Sequence, residues 1–498
     1  MPPTPRIAIL GGGISGLAAA ERLTSLLPTA EVHLYEAADR LGGVLQTVQR
    51  AGFLIELAAD NFLVKPCEGF ELCQRVGLGA ALLTTDDSRR QAFVVRGGEL
   101  IPVPAGFFLM SPRKLLPMLM TPAIGLAGKL RLMAEPFIPR ATGNTGQGGY
   151  DESVASFTRR RLGREVSDKL VQPLVSGIYT ADPERLSMAA TMPQFLEFER
   201  DSGSLLRATL FGKTARSTPN RTAGTAQSPP ANPHININNA TSGARYGMFI
   251  APKDGMASLV QAAASVLPTD RIHLKSPVAS ITSDDGTWRL QFADTTARDL
   301  SPKFSAVIVA LPAHHAATAL ENVDTELASE LRAIEYAGCA IVCLGFAREQ
   351  FGHPLDGFGF VVPHTERRRI IAGSFASVKF PGRAPEHHVL VRVFLGGALQ
   401  PDMLKLADDE LVRVARDELT ELLRMTGTPM MQHVVRWPQT MPQYHVGHLA
   451  RVARIEQFAA NHPGLALAGN AYRGVGIPQC IASGQAAAER LATHFAHA

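Results

Sequence analysis

The chain has 498 residues, which exceeds the usual size of a single hydrophobic core and predicts two or three domains. Hydrophobic residues make up 46% of the chain and charged residues 19%, as in a globular protein, and the formal net charge is only +4. Because this charge is small for the length and no basic block is interleaved with aromatic residues, we expect no nucleic-acid partner.

A glycine-rich turn follows the first apolar run of the chain. Residues 7–10 are too few for a helix and indicate a strand, and Gly11, Gly13 and Gly16 follow in the G-x-G-x-x-G spacing at the start of an alanine-rich helix. In this pattern Gly11 permits the tight turn, Gly13 lets the backbone approach a pyrophosphate, and Gly16 lets the helix pack closely on the strand. The candidate cofactor-binding residues here are Gly11, Gly12, Gly13, Ile14, Ser15 and Gly16.

A second strand over residues 32–35 ends at Glu36, about 20 residues past the last glycine. An acidic side chain at that distance accepts hydrogen bonds from both ribose hydroxyls, so a 2′-OH rather than a 2′-phosphate is expected. Arg40 and the pair Gly42-Gly43 follow. The glycine pair allows a second close approach to a diphosphate, and Arg40 can offset its charge, so this segment favours FAD over NAD.

The stretch 104–139 is rich in Phe, Leu, Met and Pro, with several basic residues among them. Its prolines exclude a membrane-spanning helix, but the stretch is apolar and cationic enough to lie in a membrane surface. The alternative is a helical cap over a ligand cavity, and both interpretations stay open. Residues 213–245 lack hydrophobic periodicity and are rich in Pro, Ser, Thr, Asn and Gly, so we expect a disordered loop there.

Elements of an α/β fold continue beyond this loop. We expect strands over 278–281 and 288–292 and a single buried strand over 304–312. Further strands within 334–400 predict a substrate-domain sheet, which an amphipathic helix over 408–425 covers.

The C-terminal segment again has the order strand, glycine loop and helix. Residues 465–470 indicate the strand, 474–478 the loop and 482–492 the helix. A helix N-terminus after a glycine loop suits the ribityl chain and pyrimidine edge of a flavin, so we expect both ends of the chain to build one cofactor site.

The five cysteines contain no C-x-x-C pair, and their odd number argues against a disulfide scaffold. They favour a reducing cytoplasm and give no reason to expect a metal site.

Three distal stretches narrow this interpretation: SGIYTADPERLS at 176–187, RWPQTMPQYHVGHL at 436–449 and LAGNAYRGVGIPQCIASG at 467–484. Together with GGGISGLAAA and DRLGG near the N-terminus, they resemble the oxygen-dependent protoporphyrinogen and coproporphyrinogen oxidase family of the flavin amine oxidase superfamily. The resemblance covers nearly the whole chain except the 213–245 loop. It implies an α/β and α+β fold: an FAD-binding Rossmann-like part of the two-dinucleotide-binding-domain flavoprotein type, a mixed-sheet substrate domain and a helical membrane-associating domain.

The resemblance also implies how the chain is divided. FAD-binding segments alternate with segments of the substrate domain, and the helical region is inserted between them. The expected parts are 1–82, 246–312 and 432–498 for FAD binding, 83–104 for a substrate-domain hairpin, 313–431 for the rest of that domain, 105–210 for the helical membrane-associating or cap region, and 213–245 for the disordered loop.

The implied activity is the six-electron oxidation of protoporphyrinogen IX to protoporphyrin IX, in which three oxygen molecules become three molecules of hydrogen peroxide. Oxidation of coproporphyrinogen III to coproporphyrin III is the alternative, and a flavin amine oxidase is a more distant one. One noncovalent FAD per chain accepts a hydride at its N5, and the N–H groups of the macrocycle release the protons. No catalytic side chain and no metal are therefore assigned.

Further FAD contacts are implied in both halves of the chain. Family members usually have Gly-Pro where this chain has Ala58-Ala59, so the backbone must reach the flavin here without the freedom of glycine. Trp437 has the alternative of an ordinary core residue. The implied contacts are Glu36, Ala37, Arg40, Gly42, Gly43, Val44, Ala58, Ala59, Asp60, Asn61, Val278, Trp437, Gly469, Asn470, Val475, Gly476 and Ile477.

Three residues are implied for the substrate. The carbonyl of Gly177 accepts hydrogen bonds from the macrocycle and Phe358 stacks on a pyrrole, although a turn glycine and a core aromatic are equal alternatives. Some family members have a propionate-binding arginine where this chain has Gln91 or Ala92, and Arg90 is the candidate substitute. The resemblance further implies a cytoplasmic protein, peripheral at the inner face of the membrane, and it permits a homodimer.

Overall fold

The computed structural model describes residues 4–141, 151–210, 249–284, 286–293 and 303–497. The disordered loop predicted at 213–245 lies outside the described residues.

The strands are short except in the second half of the chain. In chain order they are β1 (Arg6–Leu10), β2 (Glu31–Tyr35), β3 (Thr47–Arg50), β4 (Phe53–Glu56), β5 (Phe62–Leu63), β6 (Leu82–Thr84), β7 (Ala92–Arg96), β8 (Glu99–Pro102), β9 (Phe107–Phe108), β10 (Ser111–Pro112), β11 (Phe249–Pro252), β12 (Ile272–His273), β13 (Val278–Asp284), β14 (Thr287–Phe292), β15 (Lys303–Phe304), β16 (Ala306–Val309), β17 (Tyr336–Ala347), β18 (Gly359–Val361), β19 (Ala372–Phe375), β20 (His388–Gly396), β21 (Met431–Pro442) and β22 (Leu465–Leu467).

The helices surround two main sheets. In chain order they are α1 (Ile14–Leu26), α2 (Glu68–Arg75), α3 (Leu115–Met120), α4 (Leu126–Met133), α5 (Val154–Leu162), α6 (Arg164–Val166), α7 (Gln172–Tyr179), α8 (Met188–Thr191), α9 (Pro193–Ser202), α10 (Leu205–Leu210), α11 (Met256–Ala264), α12 (Ala313–Leu320), α13 (Thr325–Arg332), α14 (Ala376–Lys379), α15 (Asp408–Leu423), α16 (His448–Ala460) and α17 (Ile477–His497).

The first main sheet has five parallel strands in the order β12-β2-β1-β16-β22. Both faces of β1 are buried, which explains its continuous apolar sequence. Ile7 and Ile9 pack against α1, α11 and α17, whereas Ala8 and Leu10 pack against α12, α13 and α16. The carboxyl ends of these parallel strands share one edge, where open α/β sheets bind their ligands.

The second main sheet has seven strands in the order β21-β17-β20-β19-β18-β7-β8 and is antiparallel except for the pair β7 and β18. One face packs against α15, as the helix pattern over 408–425 predicted. The other face packs against the β3–β4 hairpin and the helical region. This second face therefore adjoins the first sheet's ligand edge.

One strand prediction was wrong. The apolar run 304–312 forms two strands in different sheets rather than one buried strand. Phe304 pairs with Trp288 of β14, whereas Val307 pairs with Ile7 of β1 and continues the parallel sheet. The N–H group of Ser305, between the two strands, donates to the carbonyl of Arg6 at 2.8 Å, so the chain changes sheets at this residue.

One helix boundary also differs from prediction. The last helix begins at Ile477 rather than 482, because Pro478 lies in the first turn, where a helix needs no backbone N–H group. Helix α7 continues to Tyr179, so Gly177 is a helical residue rather than a turn residue.

Two parts of the chain share cores or hydrogen bonds across the expected domain boundaries. Helices α12 and α13 follow residue 313 but pack in the core of the parallel sheet. Strand β21 spans the predicted boundary at 432 and pairs with β17 along its length, so it belongs to the seven-stranded sheet.

The described residues of the region 105–210 are mainly helical, and their large apolar side chains are divided between buried and exposed positions. Met118, Ile124 and Leu132 are buried in its own core, which α5, α7 and α9 complete. Other large apolar side chains of α3, α4 and the turn Glu135–Phe137 are between 63 and 81% exposed, namely Leu116, Met120, Leu126, Leu130 and Phe137. Among the helices of the described residues, none combines the length and the apolarity that a bilayer crossing requires.

Candidate functional site

The glycine turn after β1 has the geometry that a dinucleotide needs. Gly11 has φ +104°, and a Cβ atom there would lie 2.5 Å from the carbonyl oxygen of Ala310, so only glycine fits. The N–H group of Gly12 donates to Glu36 Oε2 at 2.7 Å, and that of Ala38 donates to Oε1 at 2.8 Å. These bonds hold the Glu36 carboxylate at the end of β2, with lone pairs left for ribose hydroxyls.

Open space lies directly over Gly13, at the N-terminus of α1. Apart from Gly13, its two chain neighbours and the adjoining helix backbone, no atom of the described residues comes within 4 Å of the position that a Cβ of Gly13 would occupy. The second glycine pair borders this space: the N–H group of Gly42 donates to the carbonyl of Gly12 at 2.8 Å, and a Cβ of Gly43 would lie 3.4 Å from Gly13 Cα. Two glycine segments and a helix N-terminus thus form a cradle for an anionic group.

Arg40 supports the second glycine segment. Its guanidinium donates to the carbonyls of Leu41 at 3.1 Å and Gly43 at 2.7 Å, so it fixes the conformation of this loop. Ala37 and Val44 flank this loop, and the Val44 side chain is 37% exposed.

Val278 lies beside the predicted ribose site. The two N–H groups just before it, of Lys275 and Ser276, donate to the carbonyls of Ala38 and Glu36 at 2.8 and 2.9 Å. This pairing brings the start of β13 next to Glu36, where an adenine ring would follow the ribose.

The C-terminal loop is held by one tyrosine hydroxyl. Tyr444 Oη donates to the carbonyl of Asn470 at 2.5 Å and accepts from the N–H group of Gly474 at 2.8 Å. The Gly469 N–H group donates to Ser483 Oγ at 3.0 Å, which joins the loop to α17. Residues 470–476 are therefore fixed at both ends before Val475 and Gly476 lead into the helix at Ile477.

The N-terminal turns of α1 and α17 meet. Gly484 packs so closely on α1 that an added Cβ would lie 3.1 Å from the Ala19 nitrogen and would overlap the Ser15 carbonyl. One turn earlier, Cys480 lies beside the Ser15 side chain, and burial raises the pKa of its thiol to about 12. Two helix N-termini therefore converge on the same edge of the parallel sheet, as predicted for a flavin dinucleotide.

The turn at residues 58–61 is fixed by side chains of the seven-stranded sheet. Trp437 Nε1 donates to the carbonyl of Leu57 at 2.8 Å, and Arg392 donates to the carbonyl of Ala58. The Asp60 carboxylate lies 2.9 Å from Lys379 Nζ and 3.2 Å from Arg392 Nη1. Burial raises the pKa of Asp60, but the Lys379 and Arg392 charges outweigh this effect and lower it to about 2, so the carboxylate stays ionised.

The three predicted substrate residues surround strand β18. The N–H group of Phe358 donates to the carbonyl of Gln91 at 2.7 Å, so Phe358 lies next to the segment that carries Arg90. A Cβ of Gly177 would lie 3.3 Å from Val361 at the other end of β18. Phe358 is 6% exposed, and burial lowers the pKa of the Arg90 guanidinium.

A continuous surface joins this strand to the 58–61 turn. Arg392 of β20 pairs with Ser374 of β19, which in turn pairs with Gly359 of β18. Because directly paired residues point to the same face of a sheet, this row leads from the turn to Gly359, the residue after Phe358. The 58–61 turn and the segment that carries Phe358 are therefore connected through three neighbouring strands.

Four residues of this site were missed in the sequence. Leu311 packs between the N-terminal glycine turn and the C-terminal loop. Its Cδ2 atom is 3.2 Å from the position that a Cβ of Gly11 would occupy, and its carbonyl oxygen is 3.8 Å from the position that a Cβ of Gly469 would occupy. Its place after a parallel strand was a usable signal. Arg392 and Lys379 had a weaker signal, because a charged residue among apolar ones requires a partner. Tyr444 had none beyond its place in the 436–449 motif.

The residues present fit FAD: an acceptor for the ribose, a cradle for the diphosphate, and two helix N-termini beyond it. The chain matches the family of flavin-containing amine oxidoreductases over residues 14–492. Among curated relatives, the coproporphyrinogen III oxidase of Bacillus subtilis (strain 168) is 31% identical over 495 residues, which cover 98% of each chain. Protoporphyrinogen oxidase 2 of Arabidopsis thaliana is 27% identical over 501 residues, covering 98% of this chain and 94% of the relative.

Solved structures have the same fold. A structure from Exiguobacterium sp. 255-15, described as a candidate protoporphyrinogen oxidase, has a TM-score of 0.81 and 28% identity and covers 99% of both chains. Cyclohexylamine oxidase from Brevibacterium oxydans IH-35A has a TM-score of 0.68 over 99% of this chain and 100% of its own, but at 16% identity it shows the fold alone. With a glycine cradle at its N-terminus and a family match along nearly its whole length, this chain belongs to the flavin-containing amine oxidoreductases.

Proposed function

We propose that this chain is an FAD-dependent, oxygen-using porphyrinogen oxidase of haem biosynthesis. The observation that carries the proposal is end-to-end similarity to relatives with the names coproporphyrinogen III oxidase and protoporphyrinogen oxidase. When bound, FAD supplies a two-electron acceptor that passes its electrons to oxygen, so three rounds convert a porphyrinogen to a porphyrin and release three molecules of hydrogen peroxide.

The chain's own residues bind and orient the reactants. We assign the diphosphate of one noncovalent FAD to the space over Gly13 and its ribose to Glu36. Phe358 would stack on the macrocycle, with the Gly177 carbonyl as an acceptor in the last turn of α7, where helical carbonyls lack intrahelical partners. Proton release is assigned to the macrocycle, since the site residues include no paired acid and base.

One observation favours one of the two substrates. Relatives named coproporphyrinogen III oxidase in Bacillus subtilis and Staphylococcus aureus are 31 and 29% identical over 98% of this chain, against 29 and 27% over 96 and 98% of this chain for Arabidopsis protoporphyrinogen oxidases 1 and 2. This favours coproporphyrinogen III, the alternative in the sequence interpretation, over protoporphyrinogen IX. A substrate with four carboxylates also needs cationic partners, for which Arg90 is the candidate.

The test is purification followed by side-by-side assays in air. We expect a visible flavin spectrum, release of FAD on denaturation, and growth of porphyrin fluorescence that is faster with coproporphyrinogen III than with protoporphyrinogen IX. Faster oxidation of protoporphyrinogen IX would reverse the substrate assignment. A flavin-loaded protein inactive on both would contradict the proposed function, and a panel of amines would then test the amine oxidase alternative.

We also propose that the helical region rests on an anionic membrane surface, on the cytoplasmic side. The exposed apolar side chains of α3 and α4 lie near the exposed basic residues Arg113 and Lys114, the combination that interfacial binding requires. Co-sedimentation with phosphatidylglycerol vesicles should be lost in L126S/L130S and retained in V446S, an equally conservative change at a side chain 48% exposed outside this region. Equal sedimentation of all three proteins would contradict the surface assignment.

The domain division remains a proposal with two shifted boundaries. We propose that the FAD-binding part includes residues 313–334 and that the substrate domain extends through Pro442, because those residues share cores or hydrogen bonds with these parts. A homodimer is compatible with this division, and sedimentation velocity tests it.

A further inference from the structure

A buried charge cluster lies beneath the 58–61 turn. It consists of Asp60, Lys379 and Arg392, which we call the Asp60 cluster. The carboxylate is held by both cations, at 2.9 Å from Lys379 Nζ and 3.2 Å from Arg392 Nη1, and the three side chains are only 13, 14 and 2% exposed. The residues come from three separate elements: the turn itself, the end of α14 and the middle of β20.

The Asp60 cluster carries an uncompensated charge. Two cations and one carboxylate leave one net positive charge, and Glu56 and Arg383, which interact electrostatically with Arg392 and Asp60 respectively, add one group of each sign. A charge taken out of water costs several kcal/mol unless a partner compensates it. A fold that keeps an excess cation here is therefore expected to use its field.

Two buried polar atoms at this cluster have unmet hydrogen-bonding capacity. Among the described residues, neither Arg392 Nε nor the Oγ atom of Ser374, its direct neighbour across β19 and β20, has a hydrogen-bond partner, although both atoms are buried. Arg392 lies on the sheet face that packs against the turn, together with Phe394 and Trp437. The excess charge is thus on the sheet face that contacts the 58–61 turn, which is proposed to border the flavin.

We propose that Lys379, Asp60 and Arg392 are positioning residues that hold the 58–61 turn against the flavin and place one net positive charge beside it. This inference rests on the proposed function. A flavin that takes up two electrons and one proton becomes an anion, and a nearby cation in a site of low dielectric constant stabilises that anion. The expected consequence is a raised reduction potential, which favours electron transfer from the substrate.

The turn needs this support because of its sequence. Where relatives are expected to have Gly-Pro, this chain has two alanines, and the side chains of Arg392 and Trp437 bind the carbonyls of the two residues at its start. Arg392 contacts both the Ala58 carbonyl and the Asp60 carboxylate, so the same side chain holds the backbone of the turn and the charge cluster in place.

The test separates charge from packing with three variants of the FAD-loaded protein. K379M removes the excess charge, K379R keeps it, and K379M/D60N restores it because Arg392 alone then remains charged. We expect K379M to shift the two-electron reduction equilibrium about tenfold towards the oxidised flavin, about 30 mV, while K379R and the double variant stay near the wild type. Potentials are read by visible-spectrum titration against a reference dye, with FAD content and thermal midpoint measured in parallel; K379Q replaces K379M if its yield is low.

Two results would overturn the inference: an unchanged potential in K379M with FAD still bound, or a double variant shifted as far as K379M. The second would mean that the contacts matter and the charge does not. Failure of the proposed function has a different signature, since a wild-type protein that binds no FAD or oxidises neither porphyrinogen would remove the basis of both. A normal oxidase with an unshifted K379M potential would remove the inference alone.

Discussion

The glycine cradle at residues 11–43 is held mainly by its own backbone, whereas the 58–61 turn and the 470–476 loop are held by side chains from other segments of the chain. In the cradle, Gly12, Glu36 and Gly42 bond to one another within about one βαβ unit. At the turn, Arg392 and Lys379 reach Asp60 and Ala58 across more than 300 residues of chain. The cradle can therefore tolerate little change in its backbone conformation, whereas substitutions can remove the contacts of the turn and the loop one at a time.

The largest effect on FAD binding is expected at Gly13, where a side chain would enter the cradle. Gly13 has φ −72° and open space at its Cβ position, so G13V should fold normally but fill the space proposed for the diphosphate. We expect the Kd for FAD to rise about a hundredfold or more, with an unchanged thermal midpoint of the apoprotein. Fluorescence titration with FAD measures this, and G13A is the matched smaller change. Wild-type affinity in G13V would remove the diphosphate from this position.

The second prediction concerns the brace of the C-terminal loop. His448 is 3% exposed, its ring stacks on Tyr444 with centroids 4.0 Å apart, and its Nε2 lies 2.9 Å from the carbonyl of Tyr472. Burial lowers the pKa of His448 to about 4. Between about pH 4 and 6.5 the unfolded chain then binds a proton that the folded chain excludes, so stability falls as the pH falls through this window.

The size of that loss is about 3 kcal/mol at the acid end of the window, from about 1.4 kcal/mol for each pH unit. Thermal midpoints of the apoprotein at a series of pH values measure it. H448F keeps an aromatic ring on Tyr444 and removes the titrating group, so its midpoint should fall less between pH 6.5 and 4. Parallel curves for the two proteins would show that His448 does not carry the acid sensitivity.

Where the amino-acid sequence was sufficient, the contacts were local. The strand, turn, helix and acid from Arg6 to Glu36 form a pattern whose residues meet because they are close in the chain. The Arg392 contact was beyond the sequence because it depends on the register of three strands and on how the sheet packs against β4. The split of 304–312 was missed for a related reason: an apolar run predicts burial, but it does not indicate which sheet each residue joins.

The third prediction loosens the same loop without a change of charge. Y444F removes the hydroxyl that bridges the Asn470 carbonyl and the Gly474 N–H group, and leaves both without that partner. We expect a loss of about 2 kcal/mol in folding stability. The Kd for FAD should also rise, by about tenfold, because the loop no longer presents α17 in a fixed position. A lower midpoint with unchanged FAD affinity would limit Tyr444 to a structural role.

The smallest effect on FAD affinity is expected at the 58–61 turn, where several contacts hold the same stretch of backbone. W437F removes the single bond from Trp437 Nε1 to the Leu57 carbonyl, while Arg392 and the Asp60 cluster continue to hold the residues that follow. A lost hydrogen bond of this kind costs about 1 kcal/mol, so the Kd for FAD should rise about fivefold. Combined with K379M, the change should exceed the sum of the two single changes, because each contact then lacks the other as support. Strict additivity would mean that the tryptophan and the charge cluster hold the turn independently.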